Sequence, residues 1–165
     1  MKMLKKLGIG SYLALATLVL LIVSWILYGV SISSAGYFHG VSVSFVVLFN
    51  VFSLILLLAV IGLDFVPAKD GILGKIIPLV QSVLLIGVVV FLMSNSINII
   101  GARAEGLGYI FFSNADVSAE VQTPENLSSA ALSITTFVFY LVTWLVAVVT
   151  PFFSLGKKQK TEAAE

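Results

Sequence analysis

Four long apolar runs dominate this chain and leave few folds open to it. They cover about residues 7–30, 44–63, 76–100 and 124–153, the last with a polar first turn. A helix needs about 20 apolar residues to cross the roughly 30 Å hydrocarbon core of a bilayer. In lipid the backbone must hydrogen-bond to itself, so runs of this length are helices even where they are rich in valine. We therefore predict an all-α membrane protein, a single domain built as a four-transmembrane-helix bundle.

The composition excludes a water-soluble domain. Of the 165 residues, 59% are hydrophobic and 10% are charged, whereas soluble domains carry about 25% charged residues. The chain has no cysteine and one histidine, which excludes disulfides and any metal or haem site built from several of these ligands. We expect no cofactor and no metal. We also expect no nucleic-acid partner, because the basic residues form no continuous stripe.

The basic residues predict an orientation. Eight lysines lie before the first run, between the second and third runs, or after the fourth: Lys2, Lys5, Lys6, Lys69, Lys75, Lys157, Lys158 and Lys160. An excess of basic residues in short connections marks the cytoplasmic side. We predict a cell-membrane protein with both termini, loop 64–75 and tail 154–165 in the cytoplasm. Signal-peptide cores are about 7–15 residues long, so the longer first run favours a retained helix over a cleaved signal.

The two predicted outer connections, residues 31–43 and 101–123, contain patterns typical of hairpins. Apolar and polar residues alternate in 30–33 and 41–45, around the turn-forming segment SAGYFHG. The second connection has GYIFF and VSAEVQ on either side of SNAD. Such alternation around a turn favours β-hairpins, which would pair into a small sheet capping the bundle. The alternative is irregular loop with longer helices. Thr123-Pro124-Glu125 predicts the start of the fourth helix.

A small group of polar residues is the candidate site. Asn50, Asn95 and Asn98 lie in the outer parts of the second and third helices, and Arg103 and Glu105 follow at the mouth. The asparagines would either hydrogen-bond between helices, each bond stabilising by about 0.6–2 kcal/mol, or line an outward-facing polar pocket. For Arg103 and Glu105 we expect an ion pair or contacts with lipid headgroups at the membrane surface.

The absence of charge in the middle of the spans bears on function. Ion-coupled transporters and proton relays usually place an ionisable group there, and this chain has no Asp, Glu, Lys or Arg in the middle of a predicted span. It also has no nucleophile–base pair and no P-loop or zinc-protease motif, so we do not expect an enzyme. In layout the chain resembles claudin-like and MARVEL-like four-span proteins, although the outer-loop cysteines of claudins are missing.

We therefore expect a multi-pass membrane interaction protein. It would be a scaffold or accessory subunit that packs in the lipid bilayer against a membrane-protein partner or against copies of itself. Tyr109, Phe111 and Phe112 form a candidate partner-facing outer patch. The alternative is a transporter or channel component that uses the asparagines as an outward-facing vestibule.

Overall fold

The part of the chain that the structure describes is helical. The computed structural model describes residues 8–66, 72–153 and 155. Within these residues, five α-helices and a final 3-10 turn follow one another: α1 Ile9–Ser33, α2 Ser44–Leu63, α3 Ile72–Phe112, α4 Ala115–Val121, α5 Pro124–Val149 and the turn Thr150–Phe152. The lysines at positions 2, 5, 6, 69, 157, 158 and 160 lie outside the described residues, as does the predicted tail 154–165 except Leu155.

Four of the described helices are long and apolar enough to cross a membrane: α1, α2, α3, and α5 with its final turn. For the described residues, the prediction of an all-α fold with four helices able to span a membrane is confirmed. The 20 residues of α2 measure about 30 Å, which matches the hydrocarbon core. The 41 residues of α3 measure about 60 Å, so this helix extends beyond the hydrocarbon.

The four long helices form an up-down-up-down bundle. α1 and α3 each pack against both α2 and α5. We call the end that carries residues 34–43 and α4 the α4 end, and the opposite end, where α1 begins and α5 finishes, the terminal end. Large apolar side chains cover the outside of the bundle, where lipid would contact them: Ile22, Ile55, Ile86 and Leu145 are among those more than 40% exposed.

Buried positions recur at alternating spacings of three and four residues. In α5 the set includes Ser129, Ser133, Thr136, Tyr140, Thr143 and Ala147, and in α1 it includes Ala14, Thr17, Leu21, Ser24, Tyr28 and Ser31. A mean spacing of 3.5 residues keeps one stripe of each helix facing its neighbours. Many of these side chains are small, which lets α1 and α5 approach closely. Ser24 Oγ and Thr143 Oγ1 are hydrogen-bonded at 3.0 Å.

A second set of polar contacts joins α2 to α3 at the terminal end. Gln81 is buried, and its Nε2 donates to the Val60 carbonyl at 2.9 Å and to Asp64 Oδ1 at 2.7 Å. The carboxylate of Asp64 therefore has a neutral partner on the adjacent helix. These bonds fix the register of the two helices where α2 ends.

The predicted β-hairpin cap is wrong, because the described residues contain no strand. In the first connection, α1 continues through the alternating segment to Ser33, whose hydroxyl donates to the Gly29 carbonyl within the helix. The chain then turns at Gly36 and Gly40, both with positive φ. The connection is therefore an irregular loop, the alternative considered above.

The second connection is helical rather than a hairpin. The segment GYIFF forms the last turns of α3, and SNAD starts α4 instead of making a turn. The Asn114 side chain accepts a hydrogen bond from the Val117 N–H at 3.0 Å. Asparagine and aspartate favour helix N-caps as well as turns, which is why the pattern was ambiguous. α5 begins at Pro124, with Thr123 as its N-cap, where the sequence predicts a helix start.

Candidate functional site

Two of the predicted asparagines meet in the middle of the bundle. Asn95 Nδ2 donates to Asn50 Oδ1 at 2.8 Å, and Asn50 Nδ2 donates to Tyr140 Oη at 2.7 Å. All three side chains are fully buried. The chain of hydrogen bonds joins α3, α2 and α5 across the core. These bonds make it a structural contact between three helices, although Asn95 Oδ1 has no hydrogen-bond partner among the described residues.

The other candidate residues lie away from this contact. Asn98 is half-buried, and Glu105 is exposed. The aromatic side chains predicted as an outer patch are exposed along the last turn of α3, with Phe112 the most exposed at 87%. Tyr109 lies near Tyr37, their ring centroids being 6.4 Å apart. The structure therefore separates the predicted polar cluster into a buried core contact and residues near the α4 end.

Arg103 is the unusual member of the set. Its side chain is 2% exposed, although the sequence suggests a place at the membrane surface. The guanidinium carbon lies 5.5 Å from the ring centroid of Tyr28 and 5.9 Å from that of Phe38. The expected ion pair with Glu105 does not form, since residues two apart project from different faces of a helix. Arg103 points into the bundle, whereas Glu105 faces outward.

The guanidinium of Arg103 has no counter-charge among the described residues. Neither Nη1 nor Nη2 has a hydrogen-bond partner there. Arginine keeps its charge under all ordinary conditions, and an uncompensated buried charge is costly. The two aromatic rings offset part of that cost, because each cation–π contact stabilises by about 0.5–1 kcal/mol, and more where the cation is desolvated. A cation held this way is suited to binding an anion.

The loop at the α4 end buries this cation. Gly36, with φ of +115°, lets the chain pass against the start of α5, where an added Cβ would lie 2.6 Å from the Glu125 carbonyl oxygen. The Phe38 N–H then donates to Ser129 Oγ at 3.2 Å, and the Phe38 ring packs inward. Gly106 makes room for that ring, since a Cβ there would lie 2.8 Å from Phe38 Cε1.

Tyr28 is fixed from the other side. Its Oη accepts a hydrogen bond from the Val43 N–H at 2.6 Å, just before α2 begins. The ring that faces Arg103 is therefore tied to the backbone at the end of a neighbouring membrane helix. Both aromatic partners of the guanidinium are positioned by main-chain hydrogen bonds, so the pocket around Arg103 is preorganised.

A crevice between α3 and α5 leads to Arg103 from the side of the bundle. One cavity of about 190 Å³ is lined by Arg103, Ser133 and five apolar side chains: Ile99, Ile100, Leu107, Ile134 and Phe137. A second cavity, of about 160 Å³, is lined by Met93, Ser96, Ile97, Ile100, Phe137, Leu141 and Trp144. The two cavities share Ile100 and Phe137. We call these two adjoining cavities the crevice; Arg103 lines the one nearer the α4 end, and the other walls are mostly apolar.

Sequence reasoning missed most of this site. Tyr28, Phe38 and Tyr140 were not candidates, yet they surround or neighbour the guanidinium. The sequence does contain a pattern that indicates burial of two of them. Tyr28 and Tyr140 fall at the spacing of three and four residues that the small buried residues of α1 and α5 follow. Among the described residues, no group of three or more His, Cys, Asp or Glu side chains forms a potential metal site. The chemistry available here is recognition of an anion.

Comparison with known proteins assigns the chain to no family. No protein-family model matches the chain, and no curated protein or solved structure is detectably similar to it.

Proposed function

We propose that this chain is a multi-pass membrane interaction protein, a scaffold or accessory subunit, that holds an anionic membrane component at Arg103. The observation that carries the proposal is the buried guanidinium whose Nη1 and Nη2 have no partner within the described residues. Ionisable groups inside membrane bundles are costly and are functional sites by default. The anion would complete the hydrogen bonding that the chain itself leaves unmade.

The alternative, a transporter or channel component, has weaker support. Its vestibule would use Asn50 and Asn95, but these side chains are fully buried and hydrogen-bonded to each other. Asn50 is also bonded to Tyr140. Asn95 Oδ1 has no partner among the described residues, but Asn95 is fully buried and lines neither of the two cavities. The bundle core at this level is therefore better suited to holding the helices together.

The proposal includes the orientation predicted from the lysines. With the termini in the cytoplasm of a cell-membrane protein, the α4 end and the crevice mouth near Arg103 face the outer leaflet. The exposed aromatic side chains at the end of α3, Tyr109, Phe111 and Phe112, would then be a second contact surface outside the membrane. An exposed apolar surface of this kind is typical of protein contacts or of the membrane interface.

Co-purification tests the function. The tagged protein would be extracted from native membranes in polymer nanodiscs, and its associated proteins and lipids identified by mass spectrometry. We expect an anionic component that is enriched with wild type and lost with Arg103→Gln. Lys75→Gln is the matched control, because it removes one positive charge from an exposed position of the same helix. Identical protein and lipid profiles for wild type and Arg103→Gln would refute the proposal.

A double variant tests the aromatic surface separately. Phe111→Ser with Phe112→Ser should leave the bundle folded, because both side chains are exposed. If α3 contacts a partner protein through this surface, the double variant loses that protein and keeps whatever Arg103 holds. Retention of every partner protein would remove the aromatic surface from the proposal.

A further inference from the structure

We infer that the anionic component is a phospholipid, with its phosphate on Arg103 and one acyl chain in the crevice between α3 and α5. This inference rests on the proposed function and names the ligand of the same site. The class of ligand follows from the depth of the guanidinium, the shape of the crevice and the unpartnered N–H groups of Arg103, which lines it.

Depth places the guanidinium near the headgroup region. α2 is as long as the hydrocarbon core is thick, about 30 Å, so its two ends mark the hydrocarbon boundaries. Tyr28 is hydrogen-bonded to Val43, one residue before α2 begins, and its ring faces Arg103. The cation is therefore close to the boundary at the α4 end, where lipid phosphates lie.

The crevice has the dimensions of an acyl chain in one leaflet. On α5 it runs from Ser133 beside Arg103 to Trp144 at the deep end. These residues are eleven apart, which corresponds to about 16 Å along a helix. Half of the hydrocarbon core is about 15 Å. The crevice also runs along the helices, as lipid chains do, and its walls beyond Arg103 and Ser133 are almost entirely apolar.

The donors match a phosphate. An arginine fork can offer two parallel N–H groups to two oxygens of one phosphate, and both terminal nitrogens of Arg103 are unpartnered among the described residues. Ser133, whose hydroxyl is hydrogen-bonded to Ser31 Oγ at 3.3 Å, lines the same cavity. A phosphate there would replace an uncompensated cation by a charge-assisted pair.

The alternative occupant is a partner helix that carries a carboxylate. A helix is about 10 Å across, too wide to enter cavities of about 160 and 190 Å³. Only its acidic side chain would insert, near Arg103, and the cavity toward Trp144 would remain unfilled. A lipid accounts for both cavities with one molecule, which is why we favour it.

Native mass spectrometry of the purified protein tests the inference. Protein delipidated in detergent would be titrated with phosphatidylglycerol and, separately, with phosphatidylcholine. We expect one phosphatidylglycerol bound to wild type, and binding on the order of tenfold weaker with Arg103→Gln, the loss of a charge-assisted bond. Phosphatidylcholine, which carries no net charge, should bind much more weakly than phosphatidylglycerol.

A second variant tests the crevice without touching the cation. Ile100→Trp would fill the space shared by the two cavities and should displace the lipid while Arg103 remains. Ile86→Trp is the matched control, because Ile86 lies on the same helix, is 59% exposed and lines neither cavity. It should bind phosphatidylglycerol as wild type does. Helicity and elution as a single species would verify that each variant is folded.

The outcomes separate the inference from the proposed function. If Arg103→Gln or Ile100→Trp binds phosphatidylglycerol as strongly as wild type does, the lipid inference is overturned. A co-purifying protein that depends on Arg103, with no bound lipid, would also overturn it but would leave the proposed function standing. Loss of phosphatidylglycerol with Arg103→Gln and Ile100→Trp, but not with Ile86→Trp, is the result that the inference requires.

Discussion

Replacing Arg103 by methionine should stabilise the ligand-free protein. Methionine is unbranched, flexible and apolar, so it can occupy much of the same space without a charge. A buried polar group without a hydrogen-bond partner costs about 1–3 kcal/mol, and more when it is charged. The contacts with Tyr28 and Phe38 return about 0.5–1 kcal/mol each. The difference predicts that Arg103→Met raises the free energy of unfolding by up to about 2 kcal/mol.

The measurement is reversible unfolding in an uncharged detergent, followed by circular dichroism, without anionic lipid. Arg103→Lys should give no such gain, because it keeps a buried charge and loses the planar contact with the rings. Lys75→Met should change stability by less than about 0.5 kcal/mol, since Lys75 is exposed and surface substitutions have small effects.

Adding phosphatidylglycerol should reduce or reverse the difference in free energy of unfolding between Arg103→Met and wild type. A ligand that binds only the folded state stabilises that state in proportion to its saturation, and the variant lacks the group that binds it. If Arg103→Met instead destabilises the ligand-free protein by more than about 1 kcal/mol, the guanidinium is already compensated within the chain. That result would refute the reasoning.

Two further predictions concern the core and the loop that covers the site. Asn50→Leu should destabilise the protein by about 1–2 kcal/mol, because it leaves Tyr140 and Asn95 without their hydrogen-bond partner. Asn98→Leu should be nearly neutral in the same unfolding assay, and equal effects of the two variants would contradict the buried contact. Gly106→Ala should destabilise the protein by about 1–3 kcal/mol, since the added Cβ would meet the ring of Phe38. Gly101→Ala, whose Cβ would have nothing within 4 Å, should stabilise the protein by up to about 1 kcal/mol. Thermal midpoints of the two variants that move in the same direction would contradict this difference.

The membrane helices were predictable because hydropathy is a strong signal over 20 residues. The end of α3 could not be predicted from hydropathy, since residues 101–112 include glycines and charged residues that lower it. Another pattern continues through this segment, however. The buried positions Ile99, Arg103, Gly106 and Ile110 keep the spacing of three and four that begins at Gln81. Extending that spacing past the apolar run would have predicted both the helix and a buried Arg103.

The outer cap could not be predicted from local pattern. Alternation of apolar and polar residues over four or five positions fits a strand, but it also fits a helix end whose small polar residues bond to their own backbone, as Ser33 does. The choice depends on tertiary contacts such as those of Phe38 with Gly106 and Ser129. These contacts join residues far apart in the sequence, so no single segment contains the signal.

Solid-state NMR of the guanidinium is the most direct test of the central claim, that Arg103 holds a phospholipid phosphate. Arg103 is the only arginine in the chain, so ¹⁵N-labelled arginine reports on this site alone in the folded protein. In bilayers that contain phosphatidylglycerol, the account predicts strong ¹⁵N–³¹P dipolar coupling, with the terminal nitrogens within about 4 Å of a phosphorus, because such N–H···O bonds are about 2.7–2.9 Å long. Folded protein that shows no ¹⁵N–³¹P coupling in those bilayers would contradict it.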